Sequence, residues 1–157
     1  MKRLVLITIS IMCSILFIVP QAAFAAALRS SNNVTIDSGE TINDDLYVSG
    51  GTVVVNCKVN GDLIVAGGTV TINGPVRDDL LIAGGTIEAA SSASIGRDAL
   101  LASGNAQLSG AIGRKLQAAG GGVVIDGPVG GTARLDVNQS RFSRHISSAS
   151  YCSRCSR

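Results

Sequence analysis

Ser49–Ile64 reads SGGTVVVNCKVNGDLI, and Ala66–Leu81 reads AGGTVTINGPVRDDLL. Three more copies open at Ala83, Ala102 and Ala119: AGGTIEAASSASIGRDALL, ASGNAQLSGAIGRKLQA and AGGGVVIDGPVGGTARL. The starting positions 49, 66, 83, 102 and 119 are separated by 17, 17, 19 and 17 residues. An incomplete copy, VTIDSGETINDDLYV, precedes them at Val34–Val48. A fixed period near 20 residues marks a solenoid, in which each unit buries its apolar face on its neighbours.

Aligning the copies gives five aliphatic columns. One holds Ile42, Val59, Val76, Ile95, Ile112 and Val129. A second holds Leu46, Leu63, Leu80, Ala99, Leu116 and Ala133, and a third Val48, Val65, Ile82, Leu101, Ala118 and Leu135. The last two start at Val53 and Val55. Spacing by two, as in Val53-x-Val55 and Leu63-x-Val65, puts these residues on one side of a strand. Gly-Gly, Asn-Gly, Gly-Pro and Asp-Gly fall between the strands and are turn signals. The expectation is an all-β, single-stranded parallel β-helix, a solenoid of about six rungs of ~17 residues. At ~4.8 Å per rung the rod is on the order of 29 Å long. The 19-residue copy carries its surplus in Ala89–Ser94, at a turn, where it leaves the columns in register.

Composition fits a narrow, repeated interior. The chain of 157 residues is 46% hydrophobic and only 3% aromatic, with 19 Gly and no Trp. The core must be built from Val, Ile, Leu and Ala.

Met1–Arg3 is basic, Leu4–Pro20 is apolar throughout, and Ala23-Phe24-Ala25 is an A-x-A cleavage pattern. That order is a secretory signal peptide, residues 1–25, with the cut between Ala25 and Ala26. The expected organisation continues with a short segment at 26–33, the coil at 34–135 and a basic, disordered tail at 136–157. The expected location is the bacterial cell envelope, periplasmic or extracellular. Nucleotides are scarce there, and no G-x-x-x-x-G-K-[ST] loop occurs, so no nucleotide partner is expected. From Val34 to Leu135 six basic face ten acidic side chains. An acidic body with a basic tail is not the continuous basic footprint of a nucleic-acid binder.

The reiterated GGTVVVNCKVNGDLIVAGG and GGTVTINGPVRDDLLIAGG resemble the bactofilin family of polymer-forming bacterial proteins. The resemblance covers Val34–Leu135. It implies a right-handed coil, and nucleotide-independent assembly into filaments or sheets that scaffold other envelope components. Typical bactofilins are cytoplasmic, so the leader makes this chain similar to exported relatives.

Several residues are candidates for chemistry. Asp45, Asp62, Asp79 and Asp98 form a column whose stacked carboxylates repel at ~4.8 Å. Calcium would relieve that repulsion, so these four are the weak metal candidates. Compensation by Arg97, Arg114 and Lys115 is the plainer reading. With calcium the column suggests a monomeric envelope-polysaccharide-binding module, and more remotely a small lyase. An enzyme is not the expectation. The only His, His145, lies in the tail, so no body hydroxyl or thiol has an imidazole base. Period 17 also differs from the six-residue repeat of hexapeptide acyltransferases. Cys57 stands where other copies place Gly, as a small residue at a turn, and Cys152-Ser-Arg-Cys155 is a lone C-x-x-C. Neither a catalytic residue nor a cofactor is expected.

The interface candidates are Tyr47, Ile64, Leu81 and Leu100, which alternate with inward positions and should face out. Four large apolar groups in a row suit lateral packing with another rod or a partner, or coverage by the protein's own N-terminal segment or tail. Unpaired edges at the end rungs suit end-to-end stacking. The expected partners are copies of the same chain, with envelope polysaccharide or envelope proteins beside them.

Overall fold

The computed structural model describes residues 27–142 and 152–153. In chain order the strands are β1 (Ala27–Ile36), β2 (Thr41–Ile42), β3 (Leu46–Val55), β4 (Lys58–Val59), β5 (Leu63–Ile72), β6 (Leu80–Ala89), β7 (Ser94–Ile95), β8 (Ala99–Leu108), β9 (Ala111–Ile112), β10 (Leu116–Ile125), β11 (Ala133–Phe142) and β12 (Cys152–Ser153). The long strands pair in parallel in the order β1-β3-β5-β6-β8-β10-β11, and β12 adds to the last of them. The short strands pair as β2 with β4 and β7 with β9. Single parallel bridges at Val59–Val76, Val76–Ile95 and Ile112–Val129 join the rest of that face. The result is a parallel β-solenoid of about seven turns.

Each long strand covers two faces. In β5, Leu63 and Val65 are buried, and then Val70 and Ile72. The step from 65 to 70 is odd, so the inward phase slips by one residue at Gly67–Gly68. The ladder shows the same slip, because Gly51 and Gly68 are passed over while Gly50 pairs with Gly67 and Thr52 with Thr69. Every described glycine has a negative φ, so the need for glycine at these corners comes from space. A Cβ at Gly68 would stand 2.8 Å from the carbonyl oxygen of Gly51, and one at Gly85 2.9 Å from that of Gly68. At these rungs a corner side chain would have to displace the backbone of the rung before it.

The core is one continuous cluster of aliphatic residues along the axis, from Val34 to Val137. All five columns expected from the repeat contribute to it, and no buried polar or charged residue is found among the described residues. One polar atom is enclosed nonetheless. Ser103 stands in the corner column between Gly84 and Gly120, and its Oγ is buried without a hydrogen-bond partner. An unmet buried hydroxyl destabilises, so Ser103→Ala should raise unfolding free energy by about 1 kcal/mol. Urea titration would show it as a higher midpoint.

Two boundaries differ from the sequence reading. The short segment at 26–33 is the start of β1, paired with β3 from Ala27–Leu46 to Ile36–Val55. The tail expected from 136 instead begins as strand: β11 runs on to Phe142, paired with β10 through Ile125–Phe142. Hence seven long strands stand in place of six rungs. Polar composition hid both ends. Arg29 takes the column of Val48 and forms an ion pair with Glu40, so the N-terminal end of the core carries a charge pair in place of an aliphatic layer. The signal segment and its cut at Ala25–Ala26 lie outside the described residues. Among the described residues no helix is long and apolar enough to cross a membrane.

Candidate functional site

Two features of the surface stand out, and they share an edge of the rod. The first is the Asp column. It sits in the turn that enters each long strand, one residue before the inward Leu ladder. Asp62 donates its backbone N–H to Oδ1 of Asp45 at 2.9 Å, Asp79 to Asp62 at 3.0 Å, and Asp98 to Asp79 at 3.0 Å. Lys115 closes the series by donating to Asp98 at 3.2 Å. Each carboxylate thus accepts the amide of the next rung, a charge-assisted bond along the axis. Arg97 adds its guanidinium to Asp78 at 3.7 Å and Asp79 at 3.8 Å, and Arg114 reaches Asp98 at 3.5 Å.

The repulsion expected for Asp45, Asp62, Asp79 and Asp98 is therefore met by backbone donors and arginines. Among the described residues no group of three or more His, Cys, Asp or Glu converges on a point where a metal ion could sit. A structural ladder and a calcium site respond differently to substitution. Asp62→Ala should cost about 1–3 kcal/mol by stranding an amide, whereas Asp62→Asn, whose Oδ1 still accepts, should cost much less. Thermal melts of both variants, with calcium and with a chelator, read the difference; a calcium-dependent shift lost in Asp62→Asn would contradict the ladder assignment. Asparagines do the same at two other turns: Asn60 Nδ2 donates to Asn43 Oδ1 at 2.7 Å, and Asn73 Nδ2 to Asn56 Oδ1 at 2.7 Å.

The second feature is the outward ladder on the first half of each long strand. Tyr47 pairs with Ile64, Ile64 with Leu81, and Leu81 with Leu100. Leu28 extends the row below Tyr47, and Gln117 and Arg134 continue it above Leu100. Leu28 is 76% exposed, Tyr47 38%, Leu81 40% and Leu100 49%. The sequence reading missed Leu28 because it ended the coil at Val34. Beside the ladder runs an exposed column of small residues, Ala66, Ala83, Ala102 and Ala119. The other flank is the Asp and Arg edge just described. Together they form an apolar strip with a charged margin.

Cys57 sits at its turn as a small residue and is fully buried there, where the sequence suggests only partial burial. Burial pushes its thiol up from the ordinary value, and the Glu40 carboxylate adds to the effect. A raised folded pKa favours the neutral thiol, so its contribution is present below the unfolded pKa and is lost as pH rises through the folded one. Alkylation by iodoacetamide at neutral pH should be slow until the protein unfolds, and stability should fall in alkaline solution less in Cys57→Ala than in the parent.

Shallow grooves also mark the described surface; a small one, about 200 Å³, lies at the end of the strip beside Leu100, Gln117, Ala119 and Arg134, and two are larger. One, about 360 Å³, is bordered by Thr86, Glu88, Asn105, Gln107 and Arg141. The other, about 430 Å³, crosses the short-strand face past Pro75, Val76, Ile95 and Pro128, with Lys58 and Arg77 at its side. His145, the one histidine of the sequence, lies outside the described residues. No family model matches the chain, and no curated protein or solved structure matches it significantly.

Proposed function

We propose that the chain is a structural, self-assembling scaffold protein of the bacterial cell envelope, exported by its leader and polymerising without nucleotide through its terminal rungs. The observation that carries this reading is the form of those rungs. Among the described residues β1 pairs on one side only, with β3, and β11 is joined on its far side only at Arg134 and Leu135, by β12. Each ten-residue strand therefore presents backbone donors and acceptors in the spacing of the ladder it belongs to. A parallel rung from another copy would continue the ladder at β1, and at β11 once β12 is displaced from Arg134 and Leu135, which is the hazard that protected edges normally prevent. The repeat's similarity to bactofilins supports the same reading, and the apolar strip supplies a second contact along the rod.

Negative-stain electron microscopy of the purified full-length chain, without nucleotide and with or without a chelator, tests it. Filaments or sheets in both conditions are expected. Isolated short rods at all concentrations would overturn assembly and shift weight to a monomeric glycan-binding module. Filaments lost only with the chelator would overturn cofactor-free assembly.

A further inference from the structure

We infer that the apolar strip is a lateral interface for a second copy of this chain, with the two rods antiparallel and the two-fold axis crossing the ladder at Leu81. The inference deepens the scaffold reading and rests on it. Its occupant is argued from charge. Along the strip's margin, the N-terminal half carries Asp44, Asp45, Asp62, Asp78 and Asp79, and the C-terminal half carries Arg97, Arg114 and Lys115 with Asp98. The margin is thus acidic at one end of the rod and basic at the other. Two antiparallel copies sharing the strip bring the acidic half of each against the basic half of its partner.

The register follows from apolar overlap together with these charges; the Asp78 and Asp79 rung meets its own copy on the axis, where Arg97 of the same rod stands 3.7 and 3.8 Å from the two carboxylates. With the axis at Leu81, the rung of Asp44 and Asp45 lies opposite the partner's rung of Arg114 and Lys115, and Ile64 lies opposite Leu100. Tyr47 meets Gln117, and Leu28 meets the aliphatic stem of Arg134. Moving the axis to Ile64 would set Asp44 and Asp45 against Asp78 and Asp79 on both sides of it, and like charges in a closed contact are costly; moving it to Leu100 would set Leu81 against Gln117 and Ile64 against Arg134, giving up the apolar overlap. A parallel pair would instead press the Asp margin onto the partner's Ala66, Ala83 and Ala102 column, desolvating carboxylates with nothing to pair them. The antiparallel arrangement is isologous and closed, so one strip per rod suffices.

Pulsed dipolar spectroscopy on the full-length chain tests the arrangement. Single nitroxides go on the outward positions of the second face, at half-buried Val54, Thr71 or Val124 or exposed Glu88 or Gln107, one per rung in register. Cys13, Cys152 and Cys155 are replaced by Ser, and buried Cys57 is left. Each rung away from the axis adds two rung spacings, ~10 Å, to the axial offset between the paired labels. The expected profile is shortest at 88, longer and equal at 71 and 107, and longest at 54 and 124. Equal distances at all five sites, as in parallel pairs or end-to-end stacks, would overturn the inference, as would the absence of intermolecular coupling. Charge exchange supplies the second reading. Asp44→Lys should weaken pairing roughly tenfold, and adding Arg114→Asp should restore it. The two positions are four rungs apart in one rod, so only contact between copies explains rescue; failure of rescue would overturn the register. Filaments with a flat distance profile would sink this inference alone. Antiparallel dimers that never grow would sink the scaffold reading alone.

Discussion

Leu80→Ala should cost about 3 kcal/mol of stability, while Leu81→Ala, one residue along, should change it by less than ~0.5 kcal/mol. The two leucines are chemically identical and belong to the same strand. Leu80 is fully buried and Leu81 is 40% exposed. Truncating the first opens a cavity between Leu63 below and Ala99 above, in a core that cannot collapse because the rungs are fixed by their ladders. Truncating the second removes surface that faces water in the isolated rod. Urea unfolding of the two variants, at concentrations too low for association, provides the comparison. Equal losses would mean that the register is wrong by one residue, since such a slip exchanges every inward side chain for an outward one.

Gly74→Ala should be nearly as damaging, at ~3 kcal/mol, although it adds only a methyl group. Gly74 is buried at the turn after Ile72 and Asn73, and its N–H donates to the carbonyl of Val55 at 3.2 Å. A Cβ there would overlap the carbonyl oxygen of Cys57 in the preceding rung. That oxygen is main chain in the two-residue turn between β3 and β4, so it has no rotamer by which to move aside. Gly39→Ala is the matched control, because nothing lies within 4 Å of the position a Cβ would take. It should stay within ~0.5 kcal/mol of the parent. Comparable losses in the two variants would show that backbone entropy and not crowding sets the use of glycine here.

The repeat made the interior legible because stacking imposes the same requirement on every copy. A position that points inward does so in each rung, and the columns from Leu46 to Ala133 and from Val48 to Leu135 read as aliphatic for that reason. The corner glycines were visible on the same ground. The ends were not legible because a terminal rung escapes part of the requirement. A Cβ at the corner glycines of the middle rungs would meet the rung before it, whereas β1, with no described rung before it, carries Ser31 and Asn32 there. Its inward column also accepts Arg29, which pairs with Glu40 where no described rung lies on the other side of the layer. At the other end Val137 replaces the corner glycine and is buried, so no Gly-Gly marks β11.

The Asp column was read correctly as a column and incompletely as chemistry. Sequence spacing shows that Asp45, Asp62, Asp79 and Asp98 stack. It does not show that the turn aims each carboxylate at the next rung's amide, because that depends on the path of the backbone between Val59 and Leu63 and its equivalents. The apolar strip was legible through Tyr47, Ile64, Leu81 and Leu100. What faces it is a matter of a second surface, which a single chain's pattern does not encode except through the charges along its margin.

The stacking of equal rungs makes the molecule a store of length. The step from Leu46 to Leu63 is 17 residues, as is the step from Leu63 to Leu80, and that from Leu80 to Ala99 is 19. A rung peeled from the end under tension would release 17 residues of chain, roughly 58 Å of contour, in place of ~4.8 Å of folded rod. The longer copy would release about 7 Å more. A scaffold fibre of such units would yield by paying out slack in nearly uniform steps, lengthening about twelvefold locally before any joint between molecules carried the whole load.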